Sequence, residues 1–201
     1  MDHAVTEPEE QLPGGGEGGG GEPEPEPGFL FAAGVVLYGV MGALALFWLW
    51  LRDRTDALPE QAIGTHGPFV ASGVGLVVGV VGARLVHLVE ARNDRVREMT
   101  SAAQRMFHKA PEGVGIAFVL VAATAEELFF RLAVQDAFGL VGSVAVYVML
   151  HTSAGGLRWF VFLTVHALSL GLLVHLGFGL LGSTTAHAVL NYLHLRKVQV
   201  S

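Results

Sequence analysis

Residues 113–138 read GVGIAFVLVAATAEELFFRLAVQDAF, an apolar segment interrupted by Ala125-Glu126-Glu127-Leu128-Phe129-Phe130-Arg131. The segment is long enough to cross a bilayer as a helix, since about 20 apolar residues span the hydrocarbon core. A charged side chain inside such a span costs at least about 2.5–3.5 kcal/mol on insertion scales. Two adjacent carboxylates and a guanidinium there predict a functional site within a membrane helix.

The composition of the whole chain is that of a membrane protein. Of the 201 residues, 52% are hydrophobic and only 15% are charged, whereas a soluble domain carries about 25% charged residues. The absence of cysteine excludes disulfides, a thiolate nucleophile and a Cys-ligated metal. No stripe of basic residues of the kind that binds nucleic acid is present, so we expect no nucleic-acid partner.

Residues 1–27 form a low-complexity segment of Gly and Glu-Pro repeats that contains eight acidic residues and no Lys or Arg. Such a segment buries too little apolar surface to fold, which predicts a disordered acidic tail. It is not a signal peptide, because the start of a signal peptide is basic. The remaining residues hold ten acids and twelve bases, a net charge of +2.

Six apolar segments follow the tail, and they predict an all-α, polytopic membrane helical bundle of about six transmembrane helices. The segments are residues 29–51, 68–89, 113–138, 140–153, 157–176 and 179–195. Residues 28–111 then hold two spans and a basic connector, and residues 112–201 form the core. Short Gly-containing connectors within the core predict antiparallel neighbouring helices. Small residues in the second span predict close helix packing: Gly73, Gly75, Gly79 and Gly82.

The connector, residues 91–111, has apolar residues at helical spacing and several basic residues. The apolar set is Val96, Met99, Ala103, Met106 and Phe107. This pattern predicts an amphipathic helix lying on an anionic membrane surface. With both termini in the cytoplasm, eight Lys and Arg residues lie inside and two lie outside, which the positive-inside rule favours. The two outside are Arg52 and Arg54, which with Trp48 and Trp50 resemble an interfacial belt.

The two glutamates of the third span differ in their helical neighbours. Glu127 and Arg131 are four residues apart, so they share a face and can pair. Glu126 lies about 100° round the helix and has no such partner. An unpaired carboxylate that must face another helix suits a general base.

Two later segments offer polar side chains that Glu126 could face. The fourth carries Tyr147 and His151, and the sixth carries His187 and Asn191, each pair four residues apart. A His and an Asn one turn apart present two donors to one point, as an oxyanion hole requires. In the fifth segment we expect the histidines, which lie on opposite faces, to be packing residues or to lie near the membrane interface: His166 and His175.

Three motifs on successive predicted helices resemble those of the CPBP family of membrane proteins. They are Glu126-Glu127-Leu-Phe-Phe-Arg131, Tyr147-Val-Met-Leu-His151 and His187-Ala-Val-Leu-Asn191. The family comprises type II CAAX prenyl endopeptidases and bacteriocin-processing and immunity-type proteins, and the similarity covers about residues 112–195. One position departs from the family pattern, which more often has Phe where this chain has Tyr147.

The resemblance implies a metal-independent intramembrane glutamic endopeptidase that needs no cofactor. By motif position, Glu126 activates water, which His151 helps to hold, and His187 and Asn191 stabilise the oxyanion. The supporting residues, which orient the site or guide the substrate, are Glu127 and Arg131. The resemblance also implies a multi-pass protein of the bacterial inner membrane, whose partners are the lipid bilayer and a membrane-anchored protein or peptide substrate. Myxosortase-like members of the family suggest protein sorting or maturation by tail cleavage.

Two other interpretations of the same residues stay open. Glu126, His151 and His187 match the two histidines and one carboxylate of a catalytic zinc site. Intramembrane carboxylates and histidines also occur in proton relays, so the protein could be a non-catalytic immunity, scaffold or proton-linked transport protein. The motifs of zinc, serine and aspartyl intramembrane proteases are absent: His-Glu-x-x-His, Gly-x-Ser-Gly and Gly-x-Gly-Asp.

Overall fold

The computed structural model describes residues 27–108, 111–152 and 155–196, and the regular elements within these ranges are all helical. In chain order they are α1 (Pro27–Leu51), α2 (Leu58–Ile63), α3 (Pro68–Glu90), α4 (Asp94–His108), α5 (Glu112–Glu127), α6 (Gln135–His151), α7 (Gly156–Leu173) and α8 (Gly179–Arg196). Two π-helical segments, Leu128–Val134 and Val174–Phe178, follow α5 and α7. The all-α prediction is confirmed, and the predicted acidic tail, apart from Pro27, lies outside the described residues.

Four stretches in the described residues are long and apolar enough to cross a membrane, two fewer than the number of segments predicted. They are Phe31–Leu51, Pro68–Glu90, Gly113–His151 and Gly156–Arg196. The last two have 39 and 41 residues, about twice the length that one crossing requires. Each therefore contains two of the predicted segments in one apolar stretch.

Glycines divide each of these long stretches. Gly139 has φ 70° and ψ −179°, a conformation that glycine adopts without a steric cost. Beyond it, the chain returns along its own path, because Ser143 Oγ donates to the Phe130 carbonyl at 2.9 Å. In the second stretch Gly177 and Gly179 have φ 84° and 62°. Two helical hairpins result, with antiparallel neighbours as the short connectors predict.

Close contact between α3 and α8 joins the second hairpin to the first half of the chain. A Cβ on Gly75 would lie 2.4 Å from the Gly182 carbonyl oxygen, and one on Gly79 would lie 2.5 Å from the Ala186 oxygen. Gly82 likewise faces Leu190. The small-residue prediction is thus confirmed for these three glycines. It is wrong for Gly73, where a Cβ would meet no neighbouring atom within 4 Å.

The helix predicted in the connector is present as α4, but one of its faces packs on the protein. Val96, Thr100 and Gln104, spaced one turn apart, are buried. Gln104 Nε2 donates to the carbonyl oxygen of His194 in α8 at 3.0 Å. The predicted helix is confirmed, its position on an anionic membrane surface stays a prediction, and its contact with α8 was not predicted. The side chains of Ala103, Met106 and Phe107 lie outside the described residues.

The aromatic and basic residues at the end of α1 do more than form an interfacial belt. Trp50 is exposed, as a belt residue should be. Trp48 Nε1, however, donates to Asp136 Oδ2 at 3.2 Å, and Arg54 also pairs with that carboxylate. The end of α1 is therefore tied to the start of α6 by a charged cluster.

Candidate active site

Glu127 is fully buried, and both of its carboxylate oxygens are hydrogen-bonded. Arg131 Nε donates to Oε2 at 3.0 Å, which confirms the predicted pair. Oε1 lies 2.9 Å from His187 Nδ1, contributed by α8. This second partner was not predicted, because 60 residues separate it from the glutamate. Glu127 thus joins the start of the π-helical segment to α8 and orients the His187 ring.

Ser143 of α6 completes the surroundings of Arg131 and was missed in the sequence. Its Oγ accepts a hydrogen bond from Arg131 Nη1 at 3.1 Å and donates to the Phe130 carbonyl. Phe130 lies within the π-helical segment Leu128–Val134, and such wide turns occur often at functional sites. The chain position of Ser143 gave no signal, since a lone Ser after a Gly is common in membrane helices.

Glu126 differs from its neighbour in having an oxygen without a direct partner. Its Oε2 lies 3.7 Å from His151 Nε2 and 3.8 Å from His187 Nε2. Both distances exceed those of a hydrogen bond, about 2.7–3.2 Å. Oε2 is buried and accepts no hydrogen bond from any described residue. The Tyr38 hydroxyl of α1 faces the same carboxylate.

Neighbouring acceptors set the orientation of the two imidazoles. His151 Nδ1 lies 2.8 Å from the Tyr147 carbonyl oxygen, which can only accept, so Nδ1 carries a hydrogen. The same argument places a hydrogen on His187 Nδ1, which faces the Glu127 carboxylate. Tyr147 also stacks on the His151 ring at 4.1 Å. Each Nε2 is therefore presented to Glu126.

The structure brings Glu126, His151 and His187 together, but it does not join Asn191 to them by a bond. Asn191 is half-buried one turn after His187, and its side chain is not among the hydrogen-bonded side chains of the described residues. His166 was expected to pack or to lie near the membrane interface. It does stack on Phe162, but its buried ring also meets the edge of His187 at a centroid distance of 5.4 Å.

The zinc interpretation finds no support in the arrangement of these side chains. Within the three described ranges, no group of three or more His, Asp or Glu side chains is placed to hold a metal ion. Glu126, His151 and His187 were among the residues searched. What the cluster does offer is one carboxylate oxygen, two imidazole nitrogens and a buried Glu-Arg pair behind them.

Comparison with known proteins identifies no relative of this chain. No protein-family model, no curated protein and no solved structure matches the chain. The resemblance to the CPBP family is thus carried by the three motifs alone, and the function of the site has to be argued from its side chains.

Proposed function

We propose that this protein is a metal-independent intramembrane endopeptidase of the CPBP type. The observation that supports it is Glu126 Oε2, a buried oxygen without a hydrogen-bond donor among the described residues, set 3.7 and 3.8 Å from two imidazole nitrogens. A carboxylate and imidazoles at such spacing are suited to holding a water molecule between them. If Glu126 served only to pack the helices, direct hydrogen bonds to its carboxylate would be expected, because a buried oxygen that accepts no hydrogen bond destabilises the folded state.

In this proposal Glu126 is the general base. The proposal takes the His151 ring in its neutral form with the hydrogen on Nδ1, so that the water donates one hydrogen to Glu126 Oε2 and the other to His151 Nε2. As the water oxygen attacks the substrate carbonyl carbon, its proton passes to Glu126. When the C–N bond breaks, Glu126 returns that proton to the leaving amine. The products are a new carboxyl terminus and a new amino terminus.

The oxyanion of the tetrahedral intermediate is stabilised by donors from α8. Glu126, Glu127 and Arg131 carry two negative charges and one positive charge, so a protonated His187 balances the cluster. In that form Nδ1–H stays on Glu127 and Nε2–H is available to the oxyanion. Asn191 Nδ2, without a described partner, supplies the second donor. Glu127 and Arg131 hold His187 in place.

The proposal places the four apolar stretches in a bacterial inner membrane, with the two long stretches each crossing twice. That makes six crossings, with both termini in the cytoplasm. Gly139 and Gly177 then lie on the outer side, and Glu126 lies in the outer half of the membrane. A site at that depth suits cleavage of a membrane-anchored protein near the outer end of its tail, and so protein maturation or sorting.

The experiment is a search for cleaved membrane proteins. The full-length protein is reconstituted into the same vesicles as membrane proteins extracted from cells that lack its gene, and the vesicles are incubated with EDTA. Mass spectrometry then identifies new C-termini. We expect products with the native protein and with Glu98→Gln, an exposed control in α4, and none with Glu126→Ala or Glu126→Gln.

Three results would count against the proposal. Cleavage by a folded Glu126→Ala variant would remove Glu126 from the mechanism. No cleavage of any membrane protein by the native chain would instead favour the non-catalytic immunity, scaffold or proton-linked transport interpretation. Cleavage that occurs without EDTA and is lost with it would favour the zinc interpretation.

A further inference from the structure

A small cavity of about 190 Å³ lies between α3 and α7. Its walls are apolar side chains and one glycine, apart from two polar residues of α7, His166 and Ser169. Three of the lining residues, Val77, Val81 and Val165, are exposed on the surface of the bundle. That surface is apolar and faces lipid in the proposed six crossings. The cavity is therefore reached from within the membrane.

Of the two polar residues in this lining, His166 is the one that lacks a partner. Ser169 Oγ already donates to the Val165 carbonyl at 2.7 Å. His166 is only 8% exposed, and neither of its ring nitrogens is among the hydrogen-bonded groups of the described residues. The buried polar atoms that have neither a partner nor open space beside them do not include these nitrogens. Since His166 borders the cavity, a ligand there can supply the hydrogen bond that a buried polar group normally makes.

The same ring lies beside the candidate active site. His166 stacks on Phe162, which also lines the cavity, with the ring centroids 5.8 Å apart. Its ring also meets the edge of His187 at a centroid distance of 5.4 Å. His187 is the donor that the proposed mechanism gives to the oxyanion. A ligand in the cavity therefore lies one side chain away from the catalytic cluster.

The depth of His166 limits what can reach it. In the proposed topology, α7 and the segment after it make one crossing between Gly156 and Gly177. His166 lies about ten residues from either end, which is about 15 Å and thus near the middle of a core about 30 Å thick. The polar groups of phospholipids lie at the membrane surface, so a lipid chain at this depth brings no partner to His166. A transmembrane segment of a polypeptide can bring a polar side chain to that depth.

Size and polarity select the side chain. An apolar cavity of about 150 Å³ holds benzene, so about 190 Å³ has room for one six-membered ring with a small substituent. Ser and Thr would leave most of this volume empty, Phe brings no polar atom, and the larger indole of Trp can only donate. A hydroxyl meets either nitrogen of an imidazole, because it both donates and accepts. On the basis of the proposed endopeptidase, we propose that this cavity binds the phenol ring of a tyrosine in the transmembrane segment of the substrate.

The first experiment measures whether the cavity binds a phenol. The full-length protein in vesicles is photolabelled with 3-azidophenol or with azidobenzene, which lacks only the hydroxyl, and labelled residues are mapped by mass spectrometry. Labelling at Val78 and Phe162 in the lining is divided by labelling at exposed Val36 of α1, which corrects for partition into the membrane. We expect this ratio to be about fivefold higher for the phenol, the effect of one hydrogen bond. Equal ratios for the two probes would overturn the proposal.

A pair of variants tests the imidazole itself. His166→Phe keeps a ring but removes both nitrogens, so it should lower the phenol ratio about fivefold and make the two probes equivalent. His175→Phe, the same exchange at an exposed position after α7, should leave both ratios unchanged. A preference for the phenol that survives in folded His166→Phe would contradict binding through His166. If that variant does not fold, the two probes on the native protein decide.

The second experiment tests whether the phenol belongs to the substrate. In a tail identified by the cleavage experiment, replacing the tyrosine of the transmembrane segment by phenylalanine should lower kcat/KM about fivefold with the native protein. The same replacement should have no effect with His166→Phe. An unchanged kcat/KM with the native protein, or cleaved tails that contain no such tyrosine, would contradict the substrate as the source and favour a free phenolic lipid.

The outcomes for the two proposals are separate. Cleavage of membrane proteins together with equal labelling by both probes would support the endopeptidase and contradict this cavity as a tyrosine site. A preference for the phenol together with no cleavage of any membrane protein would contradict the endopeptidase and the substrate as the source, while the phenol site itself would stand.

Discussion

Two buried glutamates in this protein each lie between two histidines: Glu126, and Glu90 at the end of α3. At Glu90, Oε2 is 3.2 Å from His87 Nδ1, and Oε1 is 2.7 Å from His194 Nε2. At Glu126, one oxygen faces both imidazoles at 3.7 and 3.8 Å. The residue types are the same, but only the Glu90 cluster is closed by direct hydrogen bonds.

Under the proposed function, the difference separates a structural cluster at Glu90 from a catalytic one at Glu126. The Glu90 carboxylate joins α3 to α8, and Gln104 of α4 bonds to the His194 carbonyl beside it. At the other cluster Glu127 accepts a hydrogen bond from His187 Nδ1. His187 Nε2 therefore faces Glu126. A closed cluster stabilises the fold, whereas the open one can bind a reactant.

The sharpest test of this contrast is activity after the same exchange at both positions. Glu126→Gln should lower kcat/KM about 10²–10⁴-fold, the usual contribution of a general base, because an amide cannot take a proton from water. Glu90→Gln should change it less than about fivefold, the worth of about 1 kcal/mol. Cleavage rates of a substrate identified by the mass spectrometry experiment provide the measurement. Similar losses of kcat/KM in the two variants would contradict the distinction between the open and the closed cluster.

Among the variants tested for stability, we expect the largest loss at the Glu127–Arg131 pair, which lies behind the open cluster at Glu126. Arg131→Met leaves the Glu127 carboxylate buried without its cation, and we expect unfolding to become easier by about 3–5 kcal/mol. Arg97→Met is the matched control, because Arg97 pairs with Asp94 on the exposed surface of α4 and should cost less than about 1 kcal/mol. Unfolding in mixed micelles measures both. Equal values for the two variants would show that burial of the pair does not matter.

A smaller loss of stability is expected at the closed cluster. Glu90→Gln replaces charge-assisted hydrogen bonds to His87 and His194 by neutral ones, which should cost about 1–2 kcal/mol. The same micelle experiment detects it, with exposed Glu60→Gln as the reference. An unchanged stability of Glu90→Gln would mean that α3 and α8 are held by their glycine contacts alone.

The smallest effect is expected from Tyr38, which faces Glu126 from outside the region of CPBP resemblance. Tyr38→Phe keeps the ring contact with Phe118, at 5.5 Å between centroids, and removes only the hydroxyl. We expect a loss of about three- to tenfold in kcat/KM, the effect of one hydrogen bond. Tyr192→Phe, on α8, should have no effect. A loss with Tyr192→Phe as large as with Tyr38→Phe would contradict a specific role.

A feature could be predicted from the sequence when it depends on residues that are close together in the chain. Long apolar runs specify membrane helices, and a four-residue spacing specifies the Glu127–Arg131 pair, because both depend on one helix alone. The wide turn at Leu128–Val134 and the Ser143 bond were missed, since they depend on how one helix meets another. The buried face of α4 was missed for the same reason, because it depends on the ends of α3 and α8.

The sequence by itself therefore determined the helical class, the Glu127–Arg131 pair and the candidate residues of the site. Only the tertiary structure decided which partners meet across long stretches of chain: His187 with Glu127, 60 residues apart, and His194 with Glu90, 104 residues apart. It also decided that the Glu90 cluster is closed by direct hydrogen bonds and that the Glu126 cluster is not. Differences of about 1 Å between imidazole and carboxylate separate those two states, and helix packing sets such distances.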